Sequence, residues 1–282
     1  MKRYMNLVWA WVVLAGLLSC TQVHGHDGDS ADPQADSAKS GPKPPVNKFA
    51  WQQLKYDSTR QYIYLSFDDG PQQGTVTCLD LCRKEGVKAT FFMVGLHAAK
   101  KTDGKQIVSM IRESYPQFLL ANHSYTHASD KYAFFYHHPL MAEEDFYKAQ
   151  DSLHVPYKII RLPGNSAWAE NGDIKASGLV KPVTQLLDSA GYDVIGWDLE
   201  WNFNHKNARP VQSAAKLAQQ VDSAFAKNKT HTHNHLVILS HDRMFQRQDD
   251  ADSLDKFIRI LKQNPRYVFE TVDHYPGVKV RR

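Results

Sequence analysis

Two adjacent aspartates stand where an apolar, strand-like segment meets a forced turn. Residues 62–67 are apolar enough for a buried strand, Asp68 and Asp69 follow directly, and Gly70-Pro71 then turns the backbone. Because successive side chains of a strand point in opposite directions, one carboxylate can ligate a metal while the other handles a proton. An acidic turn after a strand explains the same residues equally well when they are taken alone.

Two histidines follow a later strand-like segment at a spacing suited to metal binding. His123 and His127 come after the apolar residues 118–121. Two imidazoles one turn apart, with a carboxylate from elsewhere, form a donor set for a divalent ion. A chain with 14 histidines also yields such a pair by chance, so the position at a strand end is the stronger argument.

Further polar residues follow the next apolar segments in the same way. They are Arg161 with Gly164, Asp198 with Glu200 and Trp201, and Leu239 with His241. Each is more often structural when it stands alone. Together they fall at equivalent strand ends, which is where the chemistry of β/α barrels collects.

Strand-like and helix-like segments alternate along the part of the chain that carries these residues. The apolar, strand-like segments are residues 62–67, 89–94, 118–121, 158–162, 193–199, 236–240 and 267–271. Amphipathic spacing predicts helices over 182–190 and 211–227 and from residue 252 onward. This alternation indicates a parallel sheet with crossover helices. We therefore predict an α/β fold, a distorted (β/α)7–8 barrel with a single catalytic domain over residues 56–282.

The first 20 residues are typical of an export signal that ends in a lipidated cysteine. Lys2 and Arg3 precede an apolar run over 7–18, and Cys20 follows Ser19. This resembles a bacterial lipoprotein signal and predicts an exported lipoprotein, membrane-anchored in the cell envelope through Cys20. An uncleaved anchor, for which the run is short, and a cleaved, secreted form are the alternatives.

Composition limits the remaining possibilities. The chain has 282 residues, 42% of them hydrophobic, which is enough for one barrel with a full core. Its net charge of +4 comes without a basic stripe or a nucleic-acid motif, so no nucleic-acid partner is expected. Residues 21–55 are polar and rich in Asp, Ser, Gly and Pro, which predicts a flexible linker.

Two other clusters are interpreted as structural. Cys78 and Cys82 lie four residues apart in a helix-like stretch, a poor spacing for a disulfide, and are predicted to be small buried residues. The histidine-rich residues 231–235 precede a strand, opposite the end that carries the chemistry, and are interpreted as a solvated loop rather than a second metal site.

The order of the motifs resembles that of the polysaccharide deacetylases of carbohydrate esterase family 4. The matching segments are Phe67-Asp68-Asp69-Gly70-Pro71, residues 89–95, His123-Ser124 with His127, Arg161 with Pro163-Gly164, and Leu239 with His241-Asp242. They span roughly residues 60–275. The resemblance implies a distorted β/α barrel that removes acetyl groups from amino sugars of chitin, peptidoglycan or related glycans, or O-acetyl groups from xylan.

The resemblance also implies a role for each matching residue. Asp69, His123 and His127 would be the metal ligands, and Zn²⁺ is the expected ion, although Co²⁺ or Ni²⁺ suits the same donors. Of the remaining residues, Asp68 would be the general base, Arg161 its electrostatic partner, His241 the general acid, Gly164 a backbone donor to the oxyanion, and Leu239 a wall for the acetyl methyl group.

Residues 197–201 depart from the common Asp-Ser-x-Asp-Trp pattern of that family. Alternation would point Asp198 and Glu200 to the same side, so either could tune the protonation of His241, and Asp198 is the preferred candidate. Trp201 is predicted to stack on a sugar of the substrate.

The sequence thus predicts a metal-dependent hydrolase that removes N-acetyl groups from amino sugars of an envelope or extracellular glycan. One alternative is an O-acetyl esterase acting on xylan or a capsular polysaccharide. Another is a non-catalytic glycan-binding lipoprotein. The presence of Asp68, Arg161 and His241 argues against the latter, because a binding protein needs no proton-transfer groups.

Overall fold

One curved sheet carries the strand that ends in the two aspartates. The computed structural model describes residues 56–280. The predicted export signal at 1–20, its Cys20 and the predicted linker at 21–55 lie outside the described residues. Within 56–280, none of the helices combines the length and the apolar character needed to cross a membrane.

The sheet has ten strands. They are β1 (Gln61–Gly70), β2 (Ala89–Met93), β3 (Phe118–Asn122), β4 (Ile159–Ile160), β5 (Ala167–Glu170), β6 (Asp173–Ala176), β7 (Asp193–Val194), β8 (Leu199–Glu200), β9 (His235–His241) and β10 (Tyr267–Phe269). Their order is β6-β5-β7-β4-β3-β2-β1-β9-β8, and β10 pairs with the beginning of β1. The pairs are parallel except those of β5 with β6 and with β7.

Eight α-helices connect the strands within the described part of the chain. They are α1 (Thr75–Glu85), α2 (Gly95–Lys100), α3 (Gly104–Glu113), α4 (Tyr132–His137), α5 (Pro139–Ser152), α6 (Lys181–Ser189), α7 (Ala214–Ala226) and α8 (Gln248–Lys262). In residues 56–280 the sheet order leaves β6 and β8 as its two edges. The predicted α/β fold, a distorted barrel, is therefore confirmed, and the barrel is incomplete.

Alternation along the strands divides the core into an outer and an inner layer. In β1, Ile63, Leu65 and Phe67 belong to the cluster that also contains buried side chains of α1, α3, α7 and α8. Tyr64, between them, belongs to the inner cluster, and Asp68 continues this inward series. Fully burying one such large apolar side chain contributes about 1.5–3 kcal/mol, so the register of β1 is strongly specified.

The same alternation orients the other strands that end at the site. In β3, Phe118 and Leu120 lie in the outer cluster and Leu119 and Ala121 in the inner one. Asn122 is then directed outward, where it donates to the Phe146 carbonyl 2.9 Å away. The next residue, His123, is directed inward by the same rule.

The predicted helices are present, but one predicted strand is divided and one hairpin was missed. The segment 193–199 forms two strands, β7 and β8, which pair with different neighbours, β4 and β9. The strand is interrupted around Gly196. A Cβ atom at this position would lie 2.5 Å from Ser166 Oγ and 2.8 Å from a ring carbon of Trp168. The hairpin of β5 and β6 was not predicted, although Asn171-Gly172, both with positive φ, is a strong hairpin signal.

The two structural interpretations have different outcomes. Cys78 and Cys82 are free, fully buried and part of the outer core, as predicted. The solvated-loop interpretation of residues 231–235 holds for His233, which is exposed, but not for His231 and His235. His235 is 5% exposed and stacks on Tyr62 at a centroid distance of 4.9 Å. His231 stacks on Trp168 at 4.1 Å.

Candidate active site

The two aspartates reach the same site because the end of β1 is irregular. The register of β1 against β2 slips by one residue between Asp68 and Gly70, and Asp69 has φ +73°. Aspartate is among the residues that tolerate this left-handed conformation, and a bulge of this kind redirects a side chain. Strict alternation would separate the carboxylates, whereas the bulge lets both line one cavity.

The two histidines are held by a loop that follows β3. Ser124 has φ +68°, and its backbone N–H donates to Asn122 Oδ1 at 2.8 Å. The Ser124 hydroxyl in turn accepts the His127 N–H at 3.0 Å. Asp145 of α5 accepts two further backbone N–H groups of the loop, at 2.8 and 3.0 Å. These bonds fix the backbone that presents His123 and His127.

Asp69, His123 and His127 converge on one point. Oδ1 of Asp69 lies 2.9 Å from Nε2 of His127 and 3.4 Å from Nε2 of His123. One donor atom from each of the three residues lies within 4.8 Å of the others. Oδ1 is buried and makes no aligned hydrogen bond within the described residues. A buried carboxylate oxygen left without a partner between two imidazole nitrogens fits a divalent ion.

Outer contacts orient both imidazoles toward that point. Nδ1 of His123 donates to the Arg161 carbonyl at 2.9 Å. Nδ1 of His127 lies 3.4 Å from the Tyr132 hydroxyl, and the two rings meet edge to face. With Nδ1 occupied in this way, Nε2 is the nitrogen available to a metal, as is usual for histidine ligands.

The electrostatics of the three residues are coupled. Burial alone would raise the pKa of Asp69, but the contacts with His123 and His127 outweigh it and hold the pKa well below its ordinary value. Burial would likewise lower the pKa of His127, but the Asp69 carboxylate raises it. Asp69 is therefore anionic over the physiological range, as a metal ligand must be.

Asp68 is paired with a fully buried guanidinium. Nη1 of Arg161 donates to Asp68 Oδ1 at 2.8 Å and to Ser66 Oγ at 2.6 Å. The remaining donors bond the carbonyls of Ile195 and Gly196 at 3.1 and 2.9 Å. Arg161 also lies over the Phe92 ring, 4.1 Å from its centroid. A buried ion pair with its hydrogen bonds satisfied is held in one geometry.

His241 faces the carboxylates from the end of β9. Residues Asp68 and His241 are register partners in the β1–β9 pair, and Nε2 of His241 lies 3.9 Å from Asp69 Oδ2. The Phe203 ring packs against the imidazole at a centroid distance of 4.8 Å. Burial lowers the pKa of His241, with the charges of Asp69 and Asp68 opposing that shift. A lower pKa makes the imidazolium a stronger proton donor.

These residues surround one cavity of about 480 Å³, within the usual range for ligand sites. Its walls include Gly164, which follows β4, and Leu239, two residues before His241. Gly164 has φ +64°, and a Cβ atom there would lie 3.0 Å from the Tyr132 ring. Gly164 thus lets the backbone approach the cavity closely.

Comparison with known proteins identifies the family. The sequence profile described as polysaccharide deacetylase matches residues 55–170, the segment that contains Asp68, Asp69, His123, His127 and Arg161. This segment belongs to the polysaccharide deacetylase family. The resemblance deduced from the motifs is thereby confirmed.

Curated relatives align over most of the chain. A chitin disaccharide deacetylase of Vibrio alginolyticus is 24% identical over 307 aligned residues, which cover 77% of this chain and 72% of the relative. A peptidoglycan-N-acetylglucosamine deacetylase of Bacillus cereus is 27% identical over 209 residues, covering 73% of this chain and 68% of the relative.

Solved structures share the fold. The catalytic domain of a peptidoglycan N-acetylglucosamine deacetylase from Eubacterium rectale superimposes with a TM-score of 0.58 at 24% identity, over 80% of this chain and 95% of that one. A family 4 carbohydrate esterase of Streptococcus mutans gives 0.56 at 22% identity, over 75% and 86% of the two chains. At these identities the likeness concerns the fold.

Two residues predicted for the candidate site lie elsewhere. Asp198 does not contact His241, because the break at Gly196 ends the alternation that the prediction assumed. Its carboxylate accepts the backbone N–H groups of His231 and Val237 at 2.5 and 2.7 Å. Trp201 is fully buried against Phe245 and Phe257 and cannot stack on a substrate. Both predictions are wrong.

Four other residues that line the cavity were missed from the sequence: His97, Phe203, His205 and Arg243. Trp197 and Glu200, which belong to the segment whose register was misjudged, also line it. Nδ1 of His97 donates to the Asp69 carbonyl at 2.6 Å and so supports the bulge. Within this segment Glu200, not Asp198, is the carboxylate whose charge opposes the lowering of the His241 pKa by burial, and it does so less than Asp69 and Asp68.

The aspartate after His241 gives a prediction about stability. Asp242 is fully buried beside the Thr75 hydroxyl, and burial raises its pKa to about 8. The folded state therefore binds more protons than the unfolded state between about pH 4 and pH 8, and stability falls as pH rises through that window. We expect the free energy of unfolding to fall more steeply with pH in the wild type than in Asp242→Asn, by up to about 1.4 kcal/mol per pH unit.

Urea denaturation of both proteins at pH 5, 6 and 7 measures this difference. Parallel pH profiles would show that Asp242 does not titrate with folding.

Proposed function

We propose that this deacetylase is a metal-dependent hydrolase that removes N-acetyl groups from amino sugars of an envelope or extracellular glycan. One observation carries the proposal. Asp69, His123 and His127 bring three metal-binding atoms together. Asp68 lies beside them and is not one of the three ligands. The donor set of two imidazoles and one carboxylate is that of catalytic rather than structural zinc sites.

Each residue has a role in the hydrolysis of an N-acetyl group. A divalent ion bound by Asp69, His123 and His127 would supply Lewis-acid activation of the acetyl carbonyl and of the attacking water. Asp68 accepts the proton that water loses as its oxygen bonds to the carbonyl carbon. Arg161, 2.8 Å away, holds that carboxylate in position.

His241, Gly164 and Leu239 act on the leaving group, the oxyanion and the acetyl methyl group. As the C–N bond breaks, His241 donates a proton to the sugar nitrogen, because an unprotonated amide nitrogen is a poor leaving group. The backbone N–H of Gly164 donates to the oxyanion that develops on the carbonyl oxygen. Leu239, which is 4% exposed, offers an apolar surface to the acetyl methyl group. The products are acetate and a free amine on the sugar.

The names of the curated relatives support a glycan substrate, since they act on chitin disaccharide and on peptidoglycan N-acetylglucosamine. The envelope location in the proposal depends on the lipoprotein-like signal at residues 1–20, with Cys20 as the lipidated residue. Those residues lie outside the described part of the chain.

Released acetate tests the proposed function. We expect the zinc-loaded protein to release acetate from N-acetylglucosamine oligomers or peptidoglycan, and to release little from acetylxylan. Asp130→Asn is a control for any substitution of an aspartate at the site, because the Asp130 side chain is 89% exposed at the cavity rim. Preferential release from acetylxylan would support the O-acetyl esterase instead. Release from no substrate would reject the hydrolase.

A further inference from the structure

The segment that joins β2 to α2, residues 93–97, lies between the two parts of the chain that carry the predicted metal ligands. Asp69 stands at the end of β1, and His123 and His127 belong to the loop after β3. The strand order β3-β2-β1 places β2 between them. The distance between the carboxylate and the two imidazoles is therefore set across this segment.

Backbone hydrogen bonds join the segment to the loop that carries the histidines. The Met93 carbonyl accepts the His123 N–H at 3.0 Å. The Ser124 carbonyl accepts the Gly95 N–H at 3.1 Å. A Cβ atom on Gly95 would lie 2.4 Å from the Tyr125 ring, so glycine permits this close approach. The segment and the loop are thus held together at consecutive residues.

Two further hydrogen bonds join the segment to the irregular end of β1. The Val94 N–H donates to the Gly70 carbonyl at 2.7 Å. Nδ1 of His97 donates to the Asp69 carbonyl at 2.6 Å, and because a carbonyl oxygen can only accept, Nδ1 carries the proton. His97 is half-buried and lines the cavity of the candidate site. Its imidazole therefore bonds the backbone of a predicted metal ligand.

The backbone of Asp69 determines where its ligand oxygen lies. Asp69 has φ +73° at the register slip of β1 against β2. A left-handed backbone at a residue other than glycine persists where surrounding contacts hold it. Oδ1 of Asp69 lies 2.9 Å from His127 Nε2 and 3.4 Å from His123 Nε2. A rotation of the backbone at Asp69 would move this oxygen away from both imidazoles.

We propose that His97 is a positioning residue for the metal site. Its hydrogen bond to the Asp69 carbonyl fixes the bulge, and through the bulge it fixes the position of Oδ1 relative to the two imidazoles. The proposal rests on the proposed function, since it takes Asp69, His123 and His127 as the residues that bind the ion. His97 itself lies outside the group of converging donor atoms. Its effect on the ion is to hold a ligand in place before the ion binds.

Two substitutions of His97 separate the hydrogen bond from the rest of the side chain. Asparagine places its amide nitrogen close to the position of Nδ1 and keeps a donor for the carbonyl, whereas leucine is similar in size and has no donor. We expect His97→Leu to weaken zinc binding by about 10–100-fold, as the loss of a group that orients a metal ligand does. His97→Asn should retain most of the wild-type affinity. Competition with a chromophoric chelator measures both.

The absorption spectrum of the Co²⁺-loaded proteins gives a second readout, because the ligand-field bands depend on the arrangement of the ligands. We expect His97→Leu to change these bands and His97→Asn to reproduce those of the wild type. Acetate release from an N-acetylglucosamine tetrasaccharide at limiting Zn²⁺ should follow the order of the zinc affinities. A role in stability alone would lower the free energy of unfolding of His97→Leu without changing the zinc affinity or the spectrum of the folded protein.

His137→Leu is the matched control. Nδ1 of His137 also lies 2.7 Å from a backbone carbonyl, that of Ala133, but His137 is exposed on α4 and its bond stays within that helix. We expect this variant to keep the zinc affinity and the Co²⁺ spectrum of the wild type.

Two results would overturn the proposal. One is a zinc affinity of His97→Leu equal to that of the control. The other is an equal loss of affinity in His97→Leu and His97→Asn, because the imidazole rather than its hydrogen bond would then be required. A wild-type protein that binds no zinc would instead reject the proposed function, together with the metal site on which this proposal rests.

Discussion

Replacing Asp69 with asparagine is expected to weaken zinc binding by about 100-fold or more and to abolish acetate release in parallel. Loss of a residue that only hydrogen-bonds to a metal ligand already lowers metal affinity by about 10–100-fold. Asp69→Asn removes the only anionic donor among the three predicted ligands. Asparagine is chosen because position 69 has φ +73°, a conformation that asparagine tolerates and alanine does not. Competition with a chromophoric chelator measures the zinc affinity.

Asp130→Asn is the matched control for this variant. Asp130 also has a left-handed backbone, with φ +58°, and its carboxylate lies 3.8 Å from Nδ1 of His127 rather than at the point where the ligand atoms meet. We expect it to retain zinc and acetate release. If Asp69→Asn bound zinc as tightly as this control, Asp69 would not be a ligand.

Replacing Asp68 with asparagine should lower kcat by about 100-fold or more while zinc affinity remains within a few-fold of the wild type. The amide cannot accept the proton of the attacking water, and general-base catalysis contributes about 10²–10⁴-fold. The amide oxygen can still accept from Arg161, whose Nη1 lies 2.8 Å from the carboxylate oxygen. Steady-state acetate release and the same chelator competition give the two quantities.

The free energy of unfolding of Asp68→Asn must be measured together with its activity, because removing one partner of a buried ion pair lowers stability by about 3–5 kcal/mol. Assays are therefore made well below the thermal midpoint of the variant. Wild-type kcat in Asp68→Asn would assign the proton transfer to another group. Loss of zinc in this variant would instead make Asp68 a metal ligand.

Strand ends were predictable from the sequence where strands are long and alternate regularly. Alternation along β1 fixes the direction of Asp68. Ile63, Leu65 and Phe67 point outward, and Tyr64 between them points inward, as Asp68 does. The hydrophobic pattern alone places Asp68 at the inner edge, and the same holds for His123 after β3 and for His241 at the end of β9.

The bulge at Asp69 was not predictable in this way. Strict alternation would direct Asp69 away from the site, and only the register slip against β2 and the positive φ turn it inward. The family motif implied that Asp69 is a ligand without giving the geometry. His97, which bonds the Asp69 carbonyl, carries no signal in the sequence, because the contact joins α2 to the end of β1.

The failure at Asp198 and Trp201 has one physical cause. One continuous strand was predicted over residues 193–199, but the strand is interrupted where Gly196 packs against Ser166 and Trp168. After such a break the inward and outward positions no longer follow from counting residues. The cavity consequently receives Trp197 and Glu200, while Trp201 enters the core.

Acetate release before and after chelation tests the central claim most directly. We predict that the full-length protein treated with a strong chelator and desalted releases no acetate from the N-acetylglucosamine tetrasaccharide. One equivalent of Zn²⁺ per chain should restore the original rate. Acetate release at an unchanged rate from protein shown to be free of metal would contradict the account.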